Sequence, residues 1–335
     1  MDHQTRLEAE QAEVLERISA ERVLPLVSEL IRFQSIAANE DPVQGYIAAA
    51  LREAGCETDV FQIDFDSLRN HPAFGMEVER DNAIGVAGTF GDGDGPSLIL
   101  NGHVDVVPPG DFERWTYSPW EATVVKDRVY GRGSCDMKGG LAAILTAVRA
   151  IAEQGIRLKG KVIIESVVGE EDGGVGTLAT IERGYRADAA LIAEPTGLRV
   201  GNASAGALTF RVRVYGLSAH GALRQEGVSA IEKFQLVYEA LQSLEMKRND
   251  RLRSPQFDGL SLPFAISVGK IFGGEWPSSV PEELIFEGRY GVAPGEDLEA
   301  AKREFAEAIA MSTEADVWLR EHPPGVEWWG GQFKP

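Results

Sequence analysis

The chain has 335 residues, 44% of them hydrophobic, with a formal net charge of −19, and this length and composition predict two globular domains. The negative charge excludes nucleic acid and anionic membrane surfaces as expected partners. Two cysteines, a charged N-terminus and the lack of any apolar run of about 18 residues predict a cytoplasmic protein without disulfides or membrane spans.

The first 204 residues alternate helical and strand-like segments, which predicts an α/β layer. Apolar residues at helical spacing predict helices over 4–33, 43–54 and 139–153. The run Leu98-Ile99-Leu100 indicates a strand that is buried on both faces. Strands are predicted over 57–63, 82–90, 97–102, 161–168 and 189–193.

The pattern changes after about residue 204, where apolar and polar residues alternate in LTFRVRVY, as in a strand with one solvent-exposed face. The order β-α-β-β-α-β predicts a ferredoxin-like unit, a four-stranded antiparallel sheet covered by two helices. We expect a first domain over 1–204, a second over 205–320, and a return towards the first domain at 321–335. The predicted elements of the second domain are strands over 208–215, 264–271, 283–290 and 315–320 and helices over 227–244 and 296–311.

His103 and Asp105 follow the strand 97–102 in the segment LNGHVDVVPPG. Residues two apart on an extended chain point to the same side. The carboxylate can then accept one ring proton of the histidine, which leaves the other ring nitrogen free for a metal ion. The alternative for this pair alone is a turn histidine beside an unrelated aspartate.

Two further segments carry carboxylates suited to metal chemistry. Asp136, in GRGSCDMKGG, can offer its two oxygens to two cations, or it can cap the helix that follows. Glu170 and Glu171, in VVGEEDGG, are adjacent and point in opposite directions. One can therefore bind a metal while the other acts as a general base, and an acidic loop is the alternative.

Glu194 follows a fourth apolar segment, in LIAEPTG. We expect four buried strand ends to deliver these side chains to one place, because sites in open α/β sheets form beyond the strand ends. Nitrogen and oxygen ligands without thiolates favour a catalytic over a structural zinc site.

The ordered motifs H-V-D, G-R-G-x-x-D-M-K-G-G, G-E-E and A-E-P-T, followed by G-L-S-A-H, resemble those of the M20 metallopeptidase family over about residues 20–335. That family includes acetylornithine deacetylase, succinyl-diaminopimelate desuccinylase, aminoacylase and carboxypeptidase G2. The resemblance implies a zinc-hydrolase-type mixed-sheet catalytic domain, here 1–204, that binds two zinc or cobalt ions. It also implies that the inserted ferredoxin-like domain, here 205–320, is a lid that forms a homodimer contact.

The resemblance also implies the metal ligands. His103 and Glu194 match the ligands of one zinc ion, Asp136 matches the ligand that bridges both ions, and Glu171 matches a ligand of the second ion. The peptide bond after Asp136 is expected to be cis.

Other residues match the catalytic and substrate-binding groups of the family. Glu170 matches the general base, and Asp105 matches the carboxylate behind the histidine ligand. His220 matches a lid histidine that reaches a neighbouring subunit's site and stabilises the oxyanion. Ser278 stands where the family has an asparagine that contacts substrate, and Arg289 is expected to pair with a substrate carboxylate or to be a surface arginine on an edge strand.

One family ligand has no match, because none of the five histidines lies in a C-terminal stretch equivalent to that of the family. We therefore expect a chain that lacks the last part of its catalytic domain. His322, in EHPPG, is a less favoured substitute ligand.

The resemblance implies a metal-dependent amidohydrolase for small N-acyl amino acids, of the acetylornithine deacetylase type, in which Glu170 deprotonates a zinc-bound water that attacks the amide. A dipeptidase, a carboxypeptidase or a succinyl-diaminopimelate desuccinylase with the same site is one alternative. A truncated fragment with a dimerising lid and no catalysis is another.

Overall fold

A computed structural model describes residues 11–335, which form two compact units, 11–200 and 201–335. The boundary lies four residues before the one expected from the sequence pattern. The predicted helix over 4–33 falls partly outside the described residues, at 4–10. Within them, residues 11–16 are helical and a separate helix begins after Ser19, whose backbone is extended.

The first unit packs helices against a five-stranded mixed sheet. Its helices are α1 (Ala20–Arg32), α2 (Asp41–Glu53), α3 (Phe65–Leu68), α4 (Lys138–Glu153) and α5 (Val175–Glu182). Its strands are β1 (Glu57–Gln62), β2 (Ile84–Phe90), β3 (Ser97–His103), β4 (Thr123–Val125), β5 (Arg128–Tyr130), β6 (Lys161–Val167) and β7 (Ala189–Ile192).

The strand order of this sheet is β1-β2-β6-β3-β7. The pairs β1–β2 and β2–β6 are antiparallel, whereas β3 is parallel to both β6 and β7. The expected burial of Leu98-Ile99-Leu100 on both faces is wrong, since these residues are only half-buried beside the exposed strand β7. The mixed α/β architecture itself is confirmed.

The sequence pattern did not predict four elements of the first unit, which are α3, β4, β5 and α5. β4 and β5 form a short antiparallel hairpin, and each has only three residues, too few to show a periodic pattern. The eight-residue helix α5 was also missed. Its apolar residues are spread around the helix, so they mark no single face.

The second unit has the predicted ferredoxin-like topology. Its main sheet has the order β10-β12-β8-β13, and every pairing in it is antiparallel. A separate two-stranded ribbon pairs β9 with β11. The strands are β8 (Gly206–Tyr215), β9 (Ala219–His220), β10 (Ile266–Gly273), β11 (Ser279–Val280), β12 (Glu283–Val292) and β13 (Gly325–Phe333). The helices are α6 (Ala230–Arg251), α7 (Leu298–Thr313) and α8 (Val317–Glu321).

The long helix α6 covers this sheet with one apolar face. Val237 and Leu241 are buried in the core of the second unit, together with Phe210 and Phe286 of the sheet. The exposed residues of α6 are mixed, because charged side chains such as Glu232 and Lys247 stand beside apolar ones such as Ile231 and Met246. Among the described residues, no helix combines the length and the apolar character needed to cross a membrane.

The last element differs from the prediction. The segment expected to be a strand at 315–320 is mostly the helix α8, whose first turn is capped by the side chain of Asp316. Residues 321–335 were expected to return to the first domain, but β13 pairs with β8 and completes the second sheet. Val326 and Trp328 alternate towards the core of the second unit, which explains this placement.

Candidate metal centre

Three parallel strands end at one edge of the first sheet and carry candidate residues there. β3 ends at His103, the turn after β6 contains Glu170 and Glu171, and Glu194 follows β7 by two residues. Since β3, β6 and β7 run in the same direction, their carboxyl ends lie side by side. This edge is where open α/β sheets place their sites.

Asp136 also lies at this edge, but not at the end of a strand as expected. It lies in the glycine-rich turn before α4 rather than at the end of a strand, and its peptide bond to Met137 is cis. A side chain at Gly102 would crowd Leu141 and Met137, and one at Gly140 would overlap the carbonyl oxygen of Ala193. These two glycines therefore allow the start of α4 to approach the ends of β3 and β7 closely.

The imidazole of His103 lies at the centre of the carboxylates. Its Nε2 atom is 3.0 Å from Asp136 Oδ1, 3.6 Å from Glu194 Oε1 and 3.9 Å from Glu170 Oε2. Ligand atoms of His103, Asp136 and Glu171 all lie within 4.8 Å of one another, a spacing at which one cation can contact all three. The ring is buried, while Asp136 and Glu171 are exposed.

Asp105 supports the centre differently from the expectation. The Nδ1 atom of His103 lies 2.9 Å from the backbone oxygen of Asp105 and 3.6 Å from its carboxylate, so the backbone carbonyl is the better acceptor for the ring proton. The buried carboxylate instead accepts the backbone N–H groups of Glu170, at 3.2 Å, and Glu171, at 3.0 Å. Asp105 thereby ties the glutamate turn to the histidine strand.

The electrostatics of this cluster favour a cation. Burial disfavours charge on His103, but the carboxylates of Asp105, Glu170 and Asp136 outweigh it and raise the pKa of the imidazole to about 10. Burial, with the neighbouring carboxylates of Asp136 and Glu170, raises the pKa of Glu171 and that of Glu194 to about 7. Crowded carboxylates around one imidazole fit a divalent cation, and such nitrogen and oxygen donors suit zinc.

Glu170 differs from the buried His103 in its exposure to solvent. Half of its side chain is exposed to solvent, and its backbone N–H is held by Asp105. A carboxylate in this position can face a water molecule while its neighbour Glu171 faces the cluster.

A buried ion network, which no sequence pattern predicted, holds the glutamate turn. Arg80 donates to Glu40 Oε1 at 2.6 Å and to Asp172 Oδ2 at 2.7 Å, and all three side chains are buried. Asp172 also accepts the backbone N–H of Val78 at 2.8 Å. The only signal in the sequence was an extra acidic residue directly after Glu171.

The remaining candidates lie in the second unit. His220 pairs with Ser279 in the β9–β11 ribbon, and Ser278 lies directly before β11, where its backbone oxygen accepts the N–H of Gly221 at 2.7 Å. Arg289 is exposed on β12, which is an inner strand of the sheet rather than an edge. His322 stacks on Trp318, with ring centroids 3.8 Å apart.

The chain is similar in sequence to known hydrolases. A family model described as peptidase family M20/M25/M40 matches residues 99–324. An N-formyl-4-amino-5-aminomethyl-2-methylpyrimidine deformylase of Halalkalibacterium halodurans is 34% identical and covers 92% of this chain and 72% of its own length. An enzyme of the same name from Bacillus subtilis is 30% identical, with 93% and 73% covered.

Solved structures show the same fold at low sequence identity. A di-peptidase of Saccharomyces cerevisiae, Dug1p, superimposes with a TM-score of 0.74 at 14% identity and covers 96% of this chain and 80% of its own. An M20 family metallo-carboxypeptidase of Sulfolobus solfataricus has a TM-score of 0.66 at 15% identity, with 94% and 79% covered.

Proposed function

Since the chain belongs to peptidase family M20/M25/M40 and is a hydrolase of linear amide bonds, we propose that it deacylates a small N-acylated amine at a divalent-cation site. The ligands in this proposal are His103, Asp136, Glu171 and Glu194. One observation carries it: ligand atoms of three of these residues lie within 4.8 Å of one another beneath a half-exposed glutamate.

Each residue has a defined task in this reaction. A bound divalent cation supplies an acidified water and polarises the amide carbonyl. Glu170 accepts the proton of the attacking water and returns it to the departing amine. Asp105 holds the backbone of Glu170 and Glu171 and, through its carbonyl, orients the ring of His103.

The relatives change the preferred substrate. Two of them, at 34% and 30% identity, are named for an N-formylated aminomethylpyrimidine. We therefore place an N-formyl amine with a heteroaromatic ring ahead of the N-acetylornithine favoured by the motifs. N-succinyl-diaminopimelate is the second candidate, because a probable desuccinylase of Staphylococcus aureus is 27% identical over 291 residues.

The substrate assignment is tested by comparing kcat/KM for the formylated aminomethylpyrimidine, N-acetylornithine, N-succinyl-diaminopimelate and a dipeptide with one zinc-loaded preparation. We expect the formylated pyrimidine to give the highest value. A higher value for any of the other three substrates would overturn the assignment while leaving the amide hydrolase in place.

The roles of the two glutamates are tested by separate substitutions. Glu170→Gln should abolish turnover while the affinity for Zn²⁺, measured by calorimetry, stays within about threefold of the original. Glu171→Gln should weaken Zn²⁺ binding by roughly tenfold or more. Glu182→Gln, at an exposed glutamate of α5, is the matched control. Loss of Zn²⁺ binding in Glu170→Gln would move Glu170 into the ligand set.

We also propose that residues 201–335 act as a lid and dimerisation domain, in which His220 stabilises the oxyanion in the partner's site and Ser278 and Arg289 contact substrate. The ferredoxin-like sheet supports this, and so does the ribbon in which His220 pairs with Ser279, the residue after Ser278. A mixture of His220→Ala and Glu170→Gln chains should regain activity, since a mixed dimer contains one site with both groups. A monomer in solution, or no regain, contradicts the proposal.

A further inference from the structure

The first unit contains a cavity of about 650 Å³ whose wall is rich in aromatic rings. Trp115, Tyr117 and Tyr130 line it, and its wall also contains two charged residues, Asp111 and Arg114. Another cavity among the described residues, of about 600 Å³, has aliphatic groups and arginine–glutamate pairs in its wall and no aromatic ring. The first cavity, which we call the aromatic cavity, is therefore suited to a flat ring.

The rings of the aromatic cavity are held in place before any ligand binds. Trp115 donates from Nε1 to the backbone oxygen of Pro109 at 2.9 Å. The guanidinium of Arg132 lies 5.2 Å from the Trp115 ring centroid. Tyr117 and Tyr130 contact each other with centroids 4.9 Å apart. Groups fixed in this way lose little conformational freedom on binding, which favours affinity for a rigid ligand.

The aromatic cavity is built on the same two chain segments as the metal centre. Pro109 follows Asp105 by four residues, and Tyr130 precedes Asp136 by six. Extended chain covers at most about 3.6 Å per residue, so Pro109 lies no more than about 14 Å from Asp105 and Tyr130 no more than about 22 Å from Asp136. The segments also touch directly, because Arg132 donates to the backbone oxygen of Pro108 at 3.3 Å.

We propose that the aromatic cavity binds the planar heteroaromatic part of the substrate whose amide is cleaved at the metal centre, an inference that rests on the proposed function. Aromatic faces bind flat nitrogen heterocycles by stacking. One oxygen of the Asp111 carboxylate accepts the backbone N–H of Glu113 at 3.0 Å, and the other lies 3.8 Å from Nε of Arg114. The remaining acceptor positions of this carboxylate suit an exocyclic amino group, which is a hydrogen-bond donor. An aliphatic acylated amine would gain little from either feature.

The proposal is tested first by binding. The probe is the free amine 4-amino-5-aminomethyl-2-methylpyrimidine, titrated by calorimetry into the zinc-loaded full chain. Trp115→Leu and Tyr130→Leu should each weaken its affinity by roughly 5- to 150-fold, the range for loss of one stacking ring. Tyr238→Leu is the matched control, because Tyr130 and Tyr238 are both 38% exposed and Tyr238 lies on α6 of the second unit. Thermal melting verifies that each variant is folded.

Unchanged affinity in both cavity variants, or no binding of the amine to the parent chain, would overturn the proposal. A loss equal to that in Tyr238→Leu would overturn it as well. Where one variant fails to fold, the other and Tyr117→Leu provide the same comparison.

Kinetics separate this proposal from the proposed function. Tyr130→Leu should raise KM for the formylated pyrimidine about tenfold and leave KM for N-formylbutylamine unchanged. Hydrolysis of both amides with no such selectivity would reject the aromatic cavity and retain the hydrolase. Hydrolysis of neither, with pyrimidine binding still lost in the variants, would reject the proposed function and retain the binding site.

Discussion

Arg80 forms a buried ion pair with Asp172, from Nη1 to Oδ2 at 2.7 Å, directly beside the candidate ligand Glu171. The same guanidinium reaches Glu40 at 2.6 Å, so one arginine neutralises two buried carboxylates. Burial opposes the charge on Arg80, but both carboxylates outweigh that effect and raise its pKa. The turn that carries Glu170 and Glu171 therefore depends on a charged group deep in the first unit.

Removal of this arginine should destabilise the folded chain. Arg80→Met leaves two carboxylates buried without a partner, and we expect a loss of about 3–5 kcal/mol in the free energy of unfolding, measured by urea titration. Arg157→Met, which breaks the exposed pair with Asp92, should change it by about 0–1 kcal/mol. Equal stability of the two variants would show that the buried network contributes nothing.

Asp105 should control cation affinity without contacting the cation. Its carboxylate accepts the backbone N–H groups of Glu170 and Glu171. Asp105→Asn keeps the shape but turns one acceptor into a donor that faces an N–H group. We expect Zn²⁺ affinity to fall by about 10- to 100-fold by calorimetry. Asp66→Asn, at a 95% exposed carboxylate, is the control, and an equal effect in both would remove Asp105 from the support of the site.

Gly140 should tolerate no side chain, because a methyl group there meets the carbonyl oxygen of Ala193, next to Glu194. Gly140→Ala should lower the free energy of unfolding by about 1–3 kcal/mol and weaken Zn²⁺ binding. Gly45→Ala is the opposite case: it lies inside α2 with open space around it, and it should stabilise the chain by roughly 0.5–1 kcal/mol. Chemical denaturation measures both, and a stable, zinc-binding Gly140→Ala contradicts the close approach.

Local patterns predicted most of the strands and the topology of the second unit. The alternation in LTFRVRVY and the apolar run at 161–168 are both typical of a β-strand, and both segments are strands in the structure. β13 was missed because its segment, GVEWWGGQF, contains a glycine pair and shifts register between Trp328 and Gln332. A bulge of this kind disguises the alternation that identifies a strand.

Part of the candidate site could be predicted from local sequence patterns, and part of it could not. His103, Glu170, Glu171 and Glu194 follow apolar strands, so parallel topology alone brings them together. Arg80 was not predictable, because its partners lie 40 and 92 residues away in the sequence and look like ordinary surface charges there. Long-range ion pairs of this type leave no periodic signal in one sequence.

The two cysteines should differ in reactivity. Burial raises the pKa of the Cys56 thiol to about 11, whereas Cys135 is exposed in the turn beside Asp136. The thiolate is the reactive form, so iodoacetamide at pH 8 should label Cys135 and spare Cys56 until the chain is denatured. Mass spectrometry counts the labels, and rapid labelling of Cys56 in the folded chain would contradict its burial.

The same thiol predicts the sign of a pH effect on stability. Between pH 9 and about 11 the folded chain keeps a proton on Cys56 that the unfolded chain loses. Its contribution to stability is therefore complete below pH 9 and is lost as the pH rises through about 11. The difference in unfolding free energy between the parent chain and Cys56→Ala, measured by urea titration, should shrink over this interval. A difference that grows with pH would require a folded-state pKa below that of the unfolded thiol.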